Sequence, residues 1–144
     1  GGGGTAGEIP NPVPSYVGGS TLNHTETIDY DGSWETYPTI RITGPITNCI
    51  IDNQTTDEVL DFSGVTIAAG TYYDIDLRFG YKTIEDSSGA NMIANMSAGS
   101  DLATWHIAAH PEAANGLNSI NVTGTAINEA TKVELAWLER YVGI

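Results

Sequence analysis

The sequence predicts an all-β protein, and more narrowly a galectin-like or jelly-roll antiparallel β-sandwich. In several segments apolar and polar residues alternate with a period of two, the pattern of strands with one buried and one solvated face. Gly, Asn and Asp turn signals separate these segments at roughly the eight- to twelve-residue spacing of sandwich folds. Apolar residues make up 40% of the 144 residues, which is enough for one domain with a core of its own.

The clearest strands are predicted between Tyr37 and Leu77. Ile40 and Ile42 alternate with polar neighbours, so we expect one face of their strand to be buried and the other to be solvated. The next run is short, apolar and β-branched, which suits a strand covered on both faces better than a helix. Turns rich in Asn, Asp or Gly separate the strands that follow. The strands predicted in this stretch cover residues 39–43, 46–52, 58–62, 65–67 and 72–77.

The flanking segments add further predicted elements to this core. The closing strand is the cleanest amphipathic one, because Val133, Leu135 and Trp137 alternate with polar or small residues. Earlier in the chain, Trp105 and Ile107 are expected to face the core from a strand. Strands are predicted at 21–30, 81–85, 102–107, 118–123 and 131–138, with a short helical turn at 90–96 and a loop at 108–116.

Residues 1–20 differ in composition from the rest of the chain. Proline stands at positions 10, 12 and 14 and glycines lie near both ends, which predicts an extended linker or arm. The β-sandwich domain is then predicted at residues 21–144. The chain begins on four glycines without an initiator methionine, so we expect it to be part of a longer protein.

Charge and cysteine content exclude several classes of partner. Eighteen acidic residues against five Lys and Arg give a formal charge of −13, and so few cations cannot offset that field at a phosphate backbone. We therefore expect no nucleic-acid binding. We also expect no membrane insertion, because no apolar run reaches the roughly eighteen residues of a membrane helix. Cys49 is the single cysteine, which excludes an intrachain disulfide and fits assembly in a reducing cytosol.

An ordered series of short motifs runs through most of the chain. Its first part reads Tyr-Pro-x-Ile-x-Ile-x-Gly-Pro-Ile-x-Asn at 37–48, Asn-x-Thr-Thr-x-Glu at 53–58, Leu-Asp-Phe-x-Gly at 60–64, Ile-Ala-Ala-Gly at 67–70 and Ile-Asp at 75–76. It continues through 81–83, 100–104, 118–120 and the closing Arg-Tyr-Val-Gly-Ile at 140–144. This series, which covers residues 22–144, resembles the C-terminal domain of siphophage distal tail proteins.

The resemblance implies a structural role in a virion. It implies a galectin-like sandwich in the tail tip or baseplate of a tailed phage, at the junction of tail tube and baseplate, assembled in the host cytoplasm. It also implies docking to other tail and baseplate proteins, a homo-oligomeric ring in the virion and a ring-forming domain that precedes the sandwich. It implies no catalytic residue, and we expect this chain not to be an enzyme.

Side chains that could carry chemistry do not form a familiar motif. His106 and His110 with Glu112 are a candidate metal set, but the four-residue histidine spacing needs a helix and Pro111 argues against one. An Asp-Ile-Asp strand at 74–76 offers two carboxylates on one face, which any solvated strand face can hold. No Gly-x-Ser-x-Gly nucleophile elbow is present. We therefore expect no catalytic residue, no metal and no cofactor.

Aromatic residues are the better functional candidates. Trp34, Tyr37 and Tyr72 are the candidate ligand or partner contacts, because exposed aromatic faces anchor protein partners and stack on sugar rings. Two functions fit this chain, namely a docking module for other phage tail proteins and a carbohydrate-binding module that contacts host-surface polysaccharide. An exposed aromatic flanked by Asn, Asp or Arg on one sheet face favours sugar binding, whereas a continuous docking surface favours the tail protein.

Overall fold

The computed structural model describes the backbone of residues 7–8 and the whole of residues 21–140. Within these residues the chain forms strands, turns and two 3-10 helices (Ile93–Asn95 and Ala114–Gly116) with no α-helix, so the predicted all-β fold is confirmed. The strands are β1 (Gly7–Glu8), β2 (Thr21–Asp29), β3 (Thr39–Thr43), β4 (Ile46–Asn53), β5 (Glu58–Ile67), β6 (Tyr72–Asp76), β7 (Thr83–Asp86), β8 (Leu117–Thr125) and β9 (Lys132–Trp137). No helix in this described part has the length and apolar character needed to cross a membrane.

The described strands form two antiparallel sheets that face each other as a β-sandwich. The five-stranded sheet has the order β1-β9-β3-β6-β7, and the four-stranded sheet has the order β2-β8-β4-β5. β2 and β8 pair over their full lengths, from Thr21 opposite Thr125 to Asp29 opposite Leu117. Apart from β1, the predicted arm at residues 1–20 lies outside the described residues, so the arm stays a prediction.

The core lies between the sheets and follows the predicted alternation. Ile40 and Ile42 of β3 are buried, while Arg41 between them is exposed. Phe62 of β5 and Tyr73 of β6 meet edge to face across the sandwich, with ring centroids 5.9 Å apart. Further buried residues lie in β6, directly after it, and in β9, where they alternate as predicted: Ile75, Leu77, Val133, Leu135 and Trp137.

β4 differs from its prediction, because it has one buried face and not two. Cys49 and Ile51 point into the core, while Ile50 is only half-buried. A β-bulge between Thr47 and Cys49 shifts the register, so Ile46 and Cys49 both face inward although side chains three positions apart lie on opposite faces of a regular strand. In the apolar run, Ile50 therefore lies on the outer face between the buried Cys49 and Ile51, and the run does not mark a strand that is buried on both faces.

The same bulge explains why β5 is one strand where the sequence predicts two. β5 continues through Ser63 and Gly64, because Gly64 adopts the left-handed backbone region with a φ of 81°. The Gly64 amide donates a hydrogen bond to Asn48 Oδ1 at 2.6 Å, and Asn48 itself has a φ of 58°. This contact ties the bulge of β4 to the irregular point of β5.

The turns agree with their sequence signals. Asn53 Oδ1 accepts a hydrogen bond from the Thr55 amide at 3.0 Å, and Asp86 Oδ1 accepts one from the Ser88 amide at 2.9 Å. The helical turn predicted within residues 90–96 is the 3-10 helix Ile93–Asn95. These short-range elements were predictable because the side chains that stabilise them are neighbours in the sequence.

The predicted strand at 102–107 is wrong. In the described structure this segment contains no strand, and its bridge joins Ile107 to Thr36. The Ile107 amide donates to the Thr36 carbonyl at 2.9 Å, and the Thr36 amide donates to the Ile107 carbonyl at 3.1 Å. Trp105 and Ile107 are nevertheless fully buried, as their apolar character predicts.

Side-chain hydrogen bonds take the place of backbone strand pairing around residues 102–108. Asn53 of β4 donates from Nδ2 to the His106 carbonyl at 2.8 Å. Asn118 of β8 accepts the Ala108 amide at 2.8 Å and donates to the Ala108 carbonyl at 2.9 Å. Glu58 of β5 accepts the His106 amide at 3.0 Å. Because Asn53 and Asn118 are fully buried, water does not compete for these bonds.

Replacement of Asn118 by Ala is expected to destabilise the fold strongly. It removes the side-chain partner of the Ala108 amide and carbonyl, and a buried unsatisfied polar group costs about 1–3 kcal/mol. We expect a loss of about 3–5 kcal/mol in the free energy of unfolding, measured by urea denaturation.

Asn121→Ala is the matched control on the same strand. Asn121 donates to the side chains of Asn23 and Thr25 on the solvated face, so its removal is expected to change stability by less than about 1 kcal/mol. Equal losses in the two variants would contradict the supporting role of Asn118.

Candidate functional site

One end of the sandwich carries an apolar groove of about 790 Å³, here named the end groove. Trp34, Phe79 and Leu138 line it and are 51%, 85% and 63% exposed. Large exposed apolar side chains grouped on one concave surface are typical of an interaction site. Polar groups also contribute to the lining, among them Glu35, Arg78, Glu139 and Arg140.

A network of hydrogen bonds places Trp34 in the end groove. The amides of Ser33 and Trp34 donate to the Arg140 carbonyl at 2.8 and 3.0 Å. The Tyr30 hydroxyl donates to the Trp34 carbonyl at 2.6 Å and accepts the Arg140 amide at 2.7 Å. Gly32 lies so close to the Tyr30 ring that a Cβ would overlap its hydroxyl, so this position requires glycine. The backbone of Trp34 is thereby fixed, and its indole faces the groove.

Tyr37 lies beside Trp34 in the wall of the end groove. Its hydroxyl donates to Glu35 Oε2 at 2.6 Å, and the Lys82 ammonium lies 4.1 Å from its ring centroid. The hydrogen bond to Glu35, together with burial and the charge of that carboxylate, raises the pKa of Tyr37 to about 12. The structure thus brings two of the three aromatic candidates together and holds Tyr37 as a protonated, oriented side chain.

Tyr72, the third aromatic candidate, lies apart from the other two on the outer face of the five-stranded sheet. The Arg41 guanidinium stacks on its ring, 3.9 Å from the centroid. Arg41 also donates from Nε and Nη2 to the two oxygens of Asp74 at 2.7 and 2.9 Å. A shallow groove of about 480 Å³ on this face, here named the outer-face groove, is lined by acidic residues that include Asp74, Asp76, Glu85 and Glu134.

A third site surrounds the buried His106, and His106 with Glu35, Glu58 and Glu112 is here named the histidine cluster. His106 Nδ1 lies 2.8 Å from the Thr104 carbonyl oxygen and 2.8 Å from Glu58 Oε1. His106 Nε2 lies 2.9 Å from Glu112 Oε1 and 3.9 Å from Glu35 Oε1. Burial alone lowers the pKa of His106, but hydrogen bonds to Glu112 and Thr104 and the charge of Glu58 raise it above its ordinary value.

Sequence reasoning identified this cluster in part. The sequence pattern groups His106 and Glu112 with His110, which is exposed in the structure. Among the described residues, one group has its possible metal-ligand atoms within 4.8 Å of one another, and it consists of Glu35, His106 and Glu112. Glu35 reaches His106 because the bridge at Thr36 joins two segments that are distant in the sequence. No local signal marks such a bridge.

The two carboxylates of the Asp-Ile-Asp strand, Asp74 and Asp76, each bind an arginine. Asp74 pairs with Arg41 and Asp76 pairs with Arg78, at 2.7 Å in both cases. The hydrogen bond from Arg78 lowers the pKa of Asp76. Both aspartates on this strand face are thus paired with arginine side chains.

Cys49 is expected to be unreactive in the folded protein. Burial raises the pKa of its thiol to about 12, so the nucleophilic thiolate is scarce near neutral pH. At pH 8 we expect Ellman's reagent to modify the native thiol at least about a hundredfold more slowly than the guanidinium-unfolded thiol. Rapid modification under native conditions would show that Cys49 is accessible.

Comparisons of this chain with protein-family models, with curated proteins and with solved structures find no match in any of the three. Three sites in the described structure are candidates for function, namely the end groove, the outer-face groove and the histidine cluster. The end groove has the largest exposed apolar side chains among them.

Proposed function

We propose that this chain is a structural docking domain of a siphophage tail, similar to the C-terminal domain of distal tail proteins, and that the end groove binds another tail or baseplate protein. The motif series across residues 22–144 supports the tail assignment. The antiparallel β-sandwich supports it as well, because the resemblance implies such a fold. The observation that carries the docking function is the grouping of exposed Trp34, Phe79 and Leu138 in one groove.

The end groove has the composition of a protein interface. Its apolar side chains are accompanied by Arg78 and Arg140, and an apolar centre with a polar rim is the usual anatomy of such a surface. Trp is among the residues that contribute most to binding energy once a partner covers them. Because the chain has a formal charge of −13, the partner surface that fits it presents apolar side chains surrounded by basic ones.

The position of the end groove also supports a role in assembly. Ala136 and Trp137 of β9 line the groove, and the same two residues pair with Glu8 and Gly7 of β1. A partner in the groove therefore lies beside the point where the N-terminal segment joins the sandwich. Such a location suits a domain that connects successive components of a tail.

A double variant, Trp34→Ala with Leu138→Ala, tests the groove in the virus that encodes the chain. Both side chains are largely exposed, so the thermal midpoint of the domain is expected to shift by less than about 5 °C. Incorporation of the variant into purified tails is expected to fall at least about tenfold, because interface Trp and Leu anchors are lost. Quantitative immunoblotting of the purified tails measures how much of the variant is incorporated.

Leu117→Ala is the matched control, because Leu117 is also exposed but does not line the end groove. Its incorporation is expected to equal that of the wild type. Unchanged incorporation of the double variant would contradict the groove as docking surface. Immunogold labelling with antibodies against residues 21–140 tests the tail assignment separately, and label away from the tail tip would contradict it.

The second candidate function is binding of host-surface polysaccharide on the outer face of the five-stranded sheet, where Tyr72 lies against Arg41 and where Arg41 and Asp74 line the outer-face groove. Tyr72, Arg41 and Asp74 favour it, since they place an aromatic ring, a guanidinium and a carboxylate side by side on one sheet face. Such a set can stack on a sugar ring and bond its hydroxyls. Arg41 already covers one face of the Tyr72 ring, which makes this candidate weaker than the docking function.

Glycan-array binding tests this second candidate. If a host polysaccharide binds there, Tyr72→Ala is expected to weaken its binding at least about tenfold, because a stacking contact is lost. Tyr81→Ala is the control, since Tyr81 is an exposed tyrosine that stacks with Arg78 and not with Arg41. Binding that survives Tyr72→Ala, or no binding to any glycan, would reject a sugar site at Tyr72.

A further inference from the structure

The histidine cluster places hydrogen-bond acceptors at both nitrogens of one imidazole. Nδ1 of His106 faces the Thr104 carbonyl and Glu58, each at 2.8 Å. Nε2 faces Glu112 at 2.9 Å and Glu35 at 3.9 Å. All four facing groups offer oxygen atoms, and three of these groups are carboxylates.

A neutral imidazole carries one N–H and cannot satisfy both sides. A carbonyl oxygen can only accept, so the contact with Thr104 assigns the hydrogen to Nδ1 of His106. Nε2, 2.9 Å from Glu112 Oε1, then either carries a second hydrogen, as in an imidazolium, or directs its lone pair at the carboxylate, an arrangement that a metal cation between the two would stabilise. We propose that His106 Nε2, Glu112 and Glu35 bind a divalent transition-metal ion, with Zn²⁺ as the representative ion.

The distances among the three ligand atoms suit such an ion. Zn–N and Zn–O bonds of about 2.0–2.2 Å put two ligand atoms of a tetrahedral site about 3.3 Å apart. The distances of 2.9 and 3.9 Å from His106 Nε2 lie on either side of this value, and all three ligand atoms lie within 4.8 Å of one another. The side chains of Glu35 and Glu112 are 34% and 49% exposed, so both can adjust and solvent can reach the fourth coordination position.

The surrounding residues orient these ligands as outer-shell groups do in metal sites. Thr104 and Glu58 hold Nδ1 of His106, which directs Nε2 toward the ion. Tyr37 donates to Oε2 of Glu35 at 2.6 Å, while Oε1 of Glu35 is the oxygen nearest His106. The His106 ring and the Glu35 carboxylate are thus positioned by hydrogen bonds before any ion binds.

The donor set selects the class of ion. Imidazole suits Zn²⁺ and its first-row neighbours, whereas Mg²⁺ and Ca²⁺ prefer oxygen ligands alone. Three carboxylates and a chain charge of −13 favour a cation at this point. A bound ion would link the 35–37 segment in the wall of the end groove to the loop that carries Glu112. This inference does not depend on the proposed tail function.

Isothermal titration calorimetry of the tag-free chain with ZnCl₂ tests the site, after treatment with a chelator and transfer to metal-free buffer. One Zn²⁺ per chain is expected to bind, and Glu35→Gln and Glu112→Gln are each expected to weaken binding at least about tenfold. Glu58→Gln is expected to weaken it about 10–100-fold through the ring orientation of His106. Titration with CoCl₂ is expected to give visible absorption bands that Glu112→Gln alters.

Glu26→Gln is the matched control, because Glu26 contacts His24 at 3.0 Å in a pair that is not part of a three-ligand group among residues 21–140. Its Zn²⁺ affinity is expected to equal that of the wild type. A folded wild-type chain that binds no Zn²⁺ would overturn the proposal and leave a His106 imidazolium as the cation of the cluster. Binding that both Glu35→Gln and Glu112→Gln leave unchanged would also overturn it.

Discussion

The fold around the end groove and the histidine cluster depends on two buried side-chain amides, those of Asn53 and Asn118. The segment around Trp105 fills the core without a strand ladder, yet its backbone polar groups are buried and need partners. Asn53 and Asn118 supply them from β4 and β8, which belong to the four-stranded sheet. Because buried unsatisfied groups are expensive, these amides hold the segment in one conformation and thereby set the position of everything attached to it.

Two of the candidate sites share this support. The segment that the amides hold contains His106, and its neighbour Ile107 bridges to Thr36. The bridge brings Glu35 to the histidine cluster and Tyr37 to the wall of the end groove, so the two sites share one backbone segment. The end groove and the histidine cluster therefore both depend on the bridge between Thr36 and Ile107.

Three of the five basic side chains make aromatic contacts within the domain. Arg41, Arg78 and Lys82 each lie over a tyrosine ring, and the two arginines also pair with aspartates. With 18 acidic residues against five basic ones, the outer field of the domain is negative. This charge distribution disfavours phosphate-backbone ligands and favours a partner that brings its own basic groups. The acidic lining of the outer-face groove likewise disfavours an anionic ligand.

The sequence by itself determined the fold class and the facing of the regular strands, because side chains alternate strictly along a strand. The inward positions of Ile40 and Ile42 could be predicted from this local period, as could those of β9. Only the tertiary structure decided where the chain departs from regular strand pairing with alternating side chains, namely at the bulge of β4 and along the segment 102–107. It also decided that Trp34 joins Tyr37 while Tyr72 does not, and that Glu35 completes the histidine cluster. These outcomes depend on contacts between residues far apart in the chain, for which neither spacing nor composition carries a signal.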